Sequence, residues 1–202
     1  MPAGLDSAAV VQLHERIFDA VLAEEHAAPI TGVLITQKDS TLHLIETSMD
    51  TATSFLRHLQ ARGGGGGSSS GGGGGGGIGA ARLLAACEDC PCPYFAKWFH
   101  YHVQLMPDAG VDVEREDPVE AAWGVLDRLA ELAAEVAAAG GASSSDLKRR
   151  YAHLVASNER CAALARADAF MPIGEYLDLY DTPIDAALEG ERVWPAQQVV
   201  RY

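Results

Sequence analysis

Residues 30–59 read ITGVLITQKDSTLHLIETSMDTATSFLRHL, and the hydrophobic periodicity changes twice along them. Residues 30–36 are a short apolar run rich in β-branched side chains, which predicts a buried strand. Residues 37–40 are a polar turn. Residues 41–46 alternate apolar and polar, the period of a half-buried strand, and residues 49–59 repeat at helical spacing after Ser48, a good N-cap. A strand, tight turn, strand and helix in immediate succession predict an α+β fold.

The flanking elements follow from the same signals. Residues 8–25 form an amphipathic helix with Val10, Leu13, Ile17 and Val21 on its apolar stripe, capped by Asp6 or Ser7. Pro29 stops that helix. Residues 63–79, GGGGGSSSGGGGGGGIG, hold 13 of the chain's 21 glycines. They read as a flexible insertion in a loop, which lengthens the closure at little entropic cost. No Lys-Ser/Thr ending follows, so they are not a phosphate-binding loop. Residues 80–87 predict a buried third strand, Cys90–Pro93 a turn, and residues 95–103 an aromatic fourth strand, with 107–110 closing the unit. Pro118 at a first helical turn, capped by Asp117, opens a helix over 118–139. Its apolar face is assigned to Val119, Trp123, Leu126, Leu129, Leu132 and Val136. A linker over 140–145 leads to a helix over 146–168 capped by Ser145. A short helix over 173–180 and an extended tail over 183–202 complete the chain. The organisation expected is a sandwich over 1–110 with its insertion at 63–79, a helical hairpin over 111–168, and an aromatic-containing C-terminal tail over 169–202.

The formal net charge is −13. Nucleic-acid binding needs clustered Lys and Arg, so this balance argues against it, and an anionic membrane surface would repel the chain. The acidic microtubule lattice is an equally poor direct partner, and basic or neutral proteins fit better. No apolar run is long enough to span a bilayer, and MPAGLDSAAVVQLHERIF lacks the basic-then-apolar pattern of a secretory signal. Three of the four cysteines crowd into six residues, a poor disulfide framework, which points to a reducing compartment.

Helix, strand, strand, helix, strand, strand is the order of a ferredoxin-like sandwich lacking its first strand. Ile30-Thr31-Gly32 with the strand after it, the strand ending at Glu46, and Phe95–Trp98 after an apolar strand resemble the flavin-binding blue-light sensor (BLUF) domain over roughly residues 7–106. That resemblance implies a sandwich with helices on one face of a mixed sheet. It implies flavin photochemistry only where a tyrosine, an asparagine and a glutamine stand in the first strand, first helix and third strand. Here the first tyrosine is Tyr94, the only asparagine is Asn158, and His43 stands where the glutamine would be. A degenerate domain without cofactor is therefore expected; the alternative is a flavin-binding sensor with an unconventional pocket. The Cys-Pro turn, Tyr176–Tyr180 and Val193-Trp194-Pro195 further resemble the BLUF-like testis-expressed proteins of ciliated cells. This implies a cytoplasmic, non-catalytic subunit of a ciliary or flagellar axoneme that binds larger scaffold proteins, its contact with microtubules indirect.

Cys87, Cys90 and Cys92 have the look of half a zinc site, which His100 and His102 would complete from one face of a strand. Structural zinc sites show two tight ligand pairs, and the reading adopted is a proline turn with small buried thiols. His43 and Glu46 lie three apart on a strand and so face opposite ways, which rules out an acid/base pair. His43 is placed on a helix-free face or in the vestigial pocket, Glu46 and Asp50 at a helix terminus, and Cys161 in the core. Tyr94 and Trp98, on an edge strand, and Val193, Trp194 and Pro195 in the tail are the partner-binding candidates. Tyr176 and Tyr180 are expected to pack on the chain's own helices.

Overall fold

The computed structural model of the chain describes residues 6–63, 81–104 and 115–181. The fold is α+β. α1 (Ser7–Leu22) leads to β1 (Thr31–Thr36), β2 (Thr41–Glu46) and α2 (Met49–Gly63). β3 (Arg82–Leu83), β4 (Trp98–His102) and α3 (Pro118–Ala138) follow, then α4 (Ser144–Arg149), α5 (Asn158–Arg166), β5 (Met171–Pro172) and α6 (Ile173–Tyr180). The glycine-rich insertion beyond Gly63, residues 107–110 and the tail over 183–202 lie outside the described residues.

The principal sheet has three strands in the order β2-β1-β4, with β1 antiparallel to β2 and parallel to β4. Strand alternation splits its side chains between two cores. Val33, Ile35, Leu42 and Tyr101 face α3, α5 and the buried Leu147, Leu154 and Phe170. Ile45 and Trp98 face Ile17, Phe18 and Val21 of α1, Phe55 and Leu59 of α2, and Ile173 and Leu177 of α6. Helices thus cover both faces of the sheet: α1 and α2 share one face, as the resemblance implies for residues 7–106, and the helices after residue 118 cover the other. Each strand is short, but its two faces carry separate apolar sets, and each set needs a cover of its own.

Four local expectations also change. The third strand is two residues long and pairs with β5, outside the principal sheet; residues 84–93 run on without regular structure and become exposed toward the cysteines. The helix over 146–168 is broken into α4, a 3-10 turn at Ala152–Leu154 and α5. Its break is polar: buried Gln37 donates from Nε2 to the Ala156 carbonyl at 2.7 Å, and Ser157 Oγ caps α5 by accepting from the Arg160 amide. A carbonyl held by the β1–β2 turn is withdrawn from any helical ladder. Asn158 Oδ1 completes the tie by accepting from the Asp39 amide at 3.0 Å and the Ser40 hydroxyl at 3.1 Å. The cap of α4 is Ser143, in a reciprocal capping box with Asp146, and not Ser145. On α3 the buried stripe is Ala121, Ala122, Val125, Leu129, Leu132, Ala133 and Val136, while Val119 and Trp123 stand exposed. The alanines lie in the same core as Val33 and Ile35 of the sheet, while the bulky tryptophan is turned outward.

Asp50 lies in the first turn of α2, as read, but Glu46 does different work. Its carboxylate accepts from the Tyr94 amide at 2.5 Å and the Phe95 amide at 3.0 Å, clamping the chain as it enters β4. Bonds to an ionised acceptor are the stronger kind. Glu46→Gln should lower stability by about 1–3 kcal/mol, seen as a fall in the urea midpoint at unchanged slope. An unchanged midpoint would remove the clamp from the account of the fold.

Candidate functional site

Two places concentrate chemistry-bearing side chains: a histidine–aromatic cluster under α1 and α2, and the outer edge of β4. In the cluster, Trp98 on β4 reaches over Gly32 of β1 toward β2. Its indole N–H donates to His43 Nε2 at 3.1 Å. That bond fixes His43 as the neutral tautomer with its proton on Nδ1. His14 of α1 meets His43 edge-on at 4.8 Å between ring centroids, and Phe18 and Phe55 close round the pair at 6.1 and 5.6 Å. His14 is buried, and its Nδ1 donates to the Val10 carbonyl at 2.8 Å. Burial holds the His14 ring below the usual histidine range. Burial, with the second ring beside it, holds His43 well below that range. Both rings are neutral, and among the described residues neither is bonded to a carboxylate.

His43 therefore lies on a helix-covered face, packed among aromatic side chains, which sets aside the helix-free placement, one of the two expected. Phe18 and Phe55 are buried against the His43 ring, and the acceptor nitrogen of His43 is taken by Trp98. Trp98 is drawn into this cluster, while Tyr94 remains on the surface. His14 was missed in the sequence because position 14 falls within the apolar stripe of a helix and nothing local distinguishes a core histidine from a solvated one.

The cysteine turn is a further correction. Cys87, Cys90 and Cys92 are exposed free thiols, not buried ones; Cys161 is buried. Among the described residues no three His, Cys, Asp or Glu side chains come together as a metal site. His100 and His102 face the same side of β4, as their spacing predicted, and are exposed.

β4 is an edge strand. Val103 N–H donates to the Thr36 carbonyl at 3.0 Å, which fixes the parallel register and directs the odd-numbered amides of β4 toward β1. The amides and carbonyls of Trp98, His100 and His102 point away from the sheet. Beside this edge runs a groove of about 460 Å³ lined by Ser7, Ala8, Val11, Gln12, Glu15, His100 and His102. Elsewhere on the surface, Tyr180 is 68% and Leu179 59% exposed at the end of α6, with the Tyr176 ring tilted against Tyr180 at 4.8 Å between centroids. Tyr176 packs on the chain's own core as expected; Tyr180 does not. Phe170 is buried, and Val193, Trp194 and Pro195 lie outside the described residues.

Among the described residues no helix is long and apolar enough to cross a membrane. The sequence matches the family model of testis-expressed protein 47 over residues 2–182. That span includes both cores, the histidine–aromatic cluster and the whole of β4, and the chain belongs to the testis-expressed protein 47 family.

Proposed function

We propose that this chain is a non-catalytic interaction subunit of a ciliary or sperm-flagellar assembly, binding larger axonemal scaffold proteins and meeting microtubules only through them. The observation that carries the reading is the match to a testis-expressed family over most of the chain. The surface is consistent with it. Tyr94, Trp123, Leu179 and Tyr180 are large side chains left about half exposed or more, the residue types that anchor protein interfaces. The net charge of −13 favours protein partners over nucleic acid or an anionic membrane. The kinship to the BLUF fold belongs to the same reading: an ancestral flavin face refilled with Phe18, Phe55, His14 and His43, and kept as a rigid platform.

The tail supplies one docking element. Trp194 followed by Pro195 and the polar Gln197-Gln198 suits an extended segment seated on a partner. Tagged full-length chain should remain with flagella after detergent extraction. Truncation after Leu188 should leave a folded, soluble monomer that is washed out. A truncated chain retained as well as the full one, or one that unfolds, overturns the docking role of Val193-Trp194-Pro195. Full-length chain released by detergent overturns the axonemal reading. Stoichiometric flavin in the purified protein would replace that reading with the sensor alternative.

A further inference from the structure

We infer that the outer edge of β4, with the groove beside α1, receives an extended basic segment of a partner protein as an additional strand. The inference rests on the interaction-subunit reading and says where and how the partner is held. Three observations carry it. First, β4 ends the strand order β2-β1-β4, and its outward row of backbone groups, at Trp98, His100 and His102, is unbonded among the described residues. Such a row is a template for one more strand, and edges left in this state are ordinarily blunted or covered. Second, the groove lies along that row. An added strand would place alternate side chains between Ala8 and Val11 on one wall and His100 and His102 on the other. Third, the edge is not blunted: residues 98–102, WFHYH, carry no proline and no Lys or Arg, while Glu15 stands exposed on the groove wall.

Charge selects the occupant. A second copy would bring another −13 against the same face, whereas a Lys or Arg side chain opposite Glu15 is complementary. The chain's own tail over residues 182–202 holds Asp185, Glu189 and Glu191 against Arg192 and Arg201, a net charge of −1 that does not favour it opposite Glu15. A basic strand from another protein is the occupant that fits both the hydrogen-bonding row and the charge.

The test is amide exchange at single-residue resolution on the full chain, alone and in the assembly recovered from detergent-extracted flagella. In the free chain the amides of Phe99, Tyr101 and Val103 should be protected and those of Trp98, His100 and His102 open. In the assembly the open set should gain at least about tenfold protection, giving an alternation that burial under a helix or loop would not produce. Ala8→Arg, which sets a positive charge in the groove, should weaken retention in the assembly while the thermal midpoint stays put. Open amides at 98, 100 and 102 in chain that has entered the assembly overturn the inference and leave the interaction reading standing. Protection in the free chain that rises with concentration assigns the edge to a second copy. Protection in the free chain that disappears on truncation after Leu188 assigns it to the tail. Either result overturns the basic partner strand. A chain that never enters the assembly removes the interaction reading, and this inference with it.

Discussion

Gly32→Ala should unfold or nearly unfold the protein, a loss of more than about 3 kcal/mol for the addition of one methyl group. Gly32 sits in β1 with φ of +124°, a backbone conformation that side chains other than glycine rarely adopt. A β-carbon there would stand 2.1 Å from the Leu44 carbonyl oxygen and 2.9 Å from its carbon. Both atoms are backbone of the paired strand, so no rotamer change relieves the contact. The β1–β2 pairing has to open, and the Trp98 indole that spans Gly32 to reach His43 loses its seat with it. Gly124→Ala is the matched control. That glycine lies inside α3, and the nearest atom to an added β-carbon is the far end of Arg128, at 3.9 Å. Alanine removes the helix penalty of glycine there and should stabilise by roughly 0.5–1 kcal/mol. Urea titration of the two variants should therefore move the midpoint in opposite directions. A Gly32→Ala protein within about 1 kcal/mol of the parent would show that β1 and β2 do not pair as described.

The hairpin and helix over residues 30–59 were legible because each signal there is local: alternation, a polar turn, a serine cap. Asp117 and Pro118 at the start of α3, Asp6 at the start of α1 and the bounds of α6 were legible for the same reason. What failed was long-range. Nothing within residues 146–168 announces that Gln37, more than a hundred residues earlier, takes the Ala156 carbonyl and breaks the helix. Trp123 was assigned to the apolar face because it is apolar and at helical spacing. Two adjacent alanines define an equally good stripe, and only packing against the sheet chooses between them. The packing of the helices after residue 118 on the sheet was not legible: residues 30–36 read as a buried run, and burial along nearly the whole of β1 does not say which later helices cover its second face. In the candidate site, His43 was found by position and Trp98 by residue type. Their hydrogen bond runs diagonally across β1, from Trp98 opposite Gly32 to His43 opposite Leu34, a coincidence of register that periodicity does not encode.

Acidification from pH 7.5 to 5 should destabilise the protein well before its carboxylates titrate, because two neutral histidines are built into one core. Both folded-state pKa values are lowered, His14 by burial and His43 further by burial and by the neighbouring ring. The folded chain therefore binds fewer protons than the unfolded chain, and stability rises with pH. The contribution is complete above the unfolded histidine pKa of about 6.5 and is lost as pH falls through the window below it. Each ring that stays neutral gives up to about 1.4 kcal/mol per pH unit, or roughly 2 kcal/mol by pH 5. The loss levels off for each ring once the pH passes its own folded value. The carboxylates held low by their partners, Glu24 by Ser54, Asp146 by Ser143 and Asp181 by Arg57, act in the opposite half of the acid range, below the ordinary carboxylate pKa of about 4. The window from 6.5 to 5 thus isolates the histidines. His43→Gln supplies an amide oxygen for the Trp98 N–H and removes one titration. Its unfolding free energy, measured by urea at each pH, should start lower than the parent's at pH 7.5 and fall less steeply toward pH 5. Parallel curves for parent and variant would mean that His43 is not held neutral in the fold, and that the cluster between α1 and the sheet is open to protons and water.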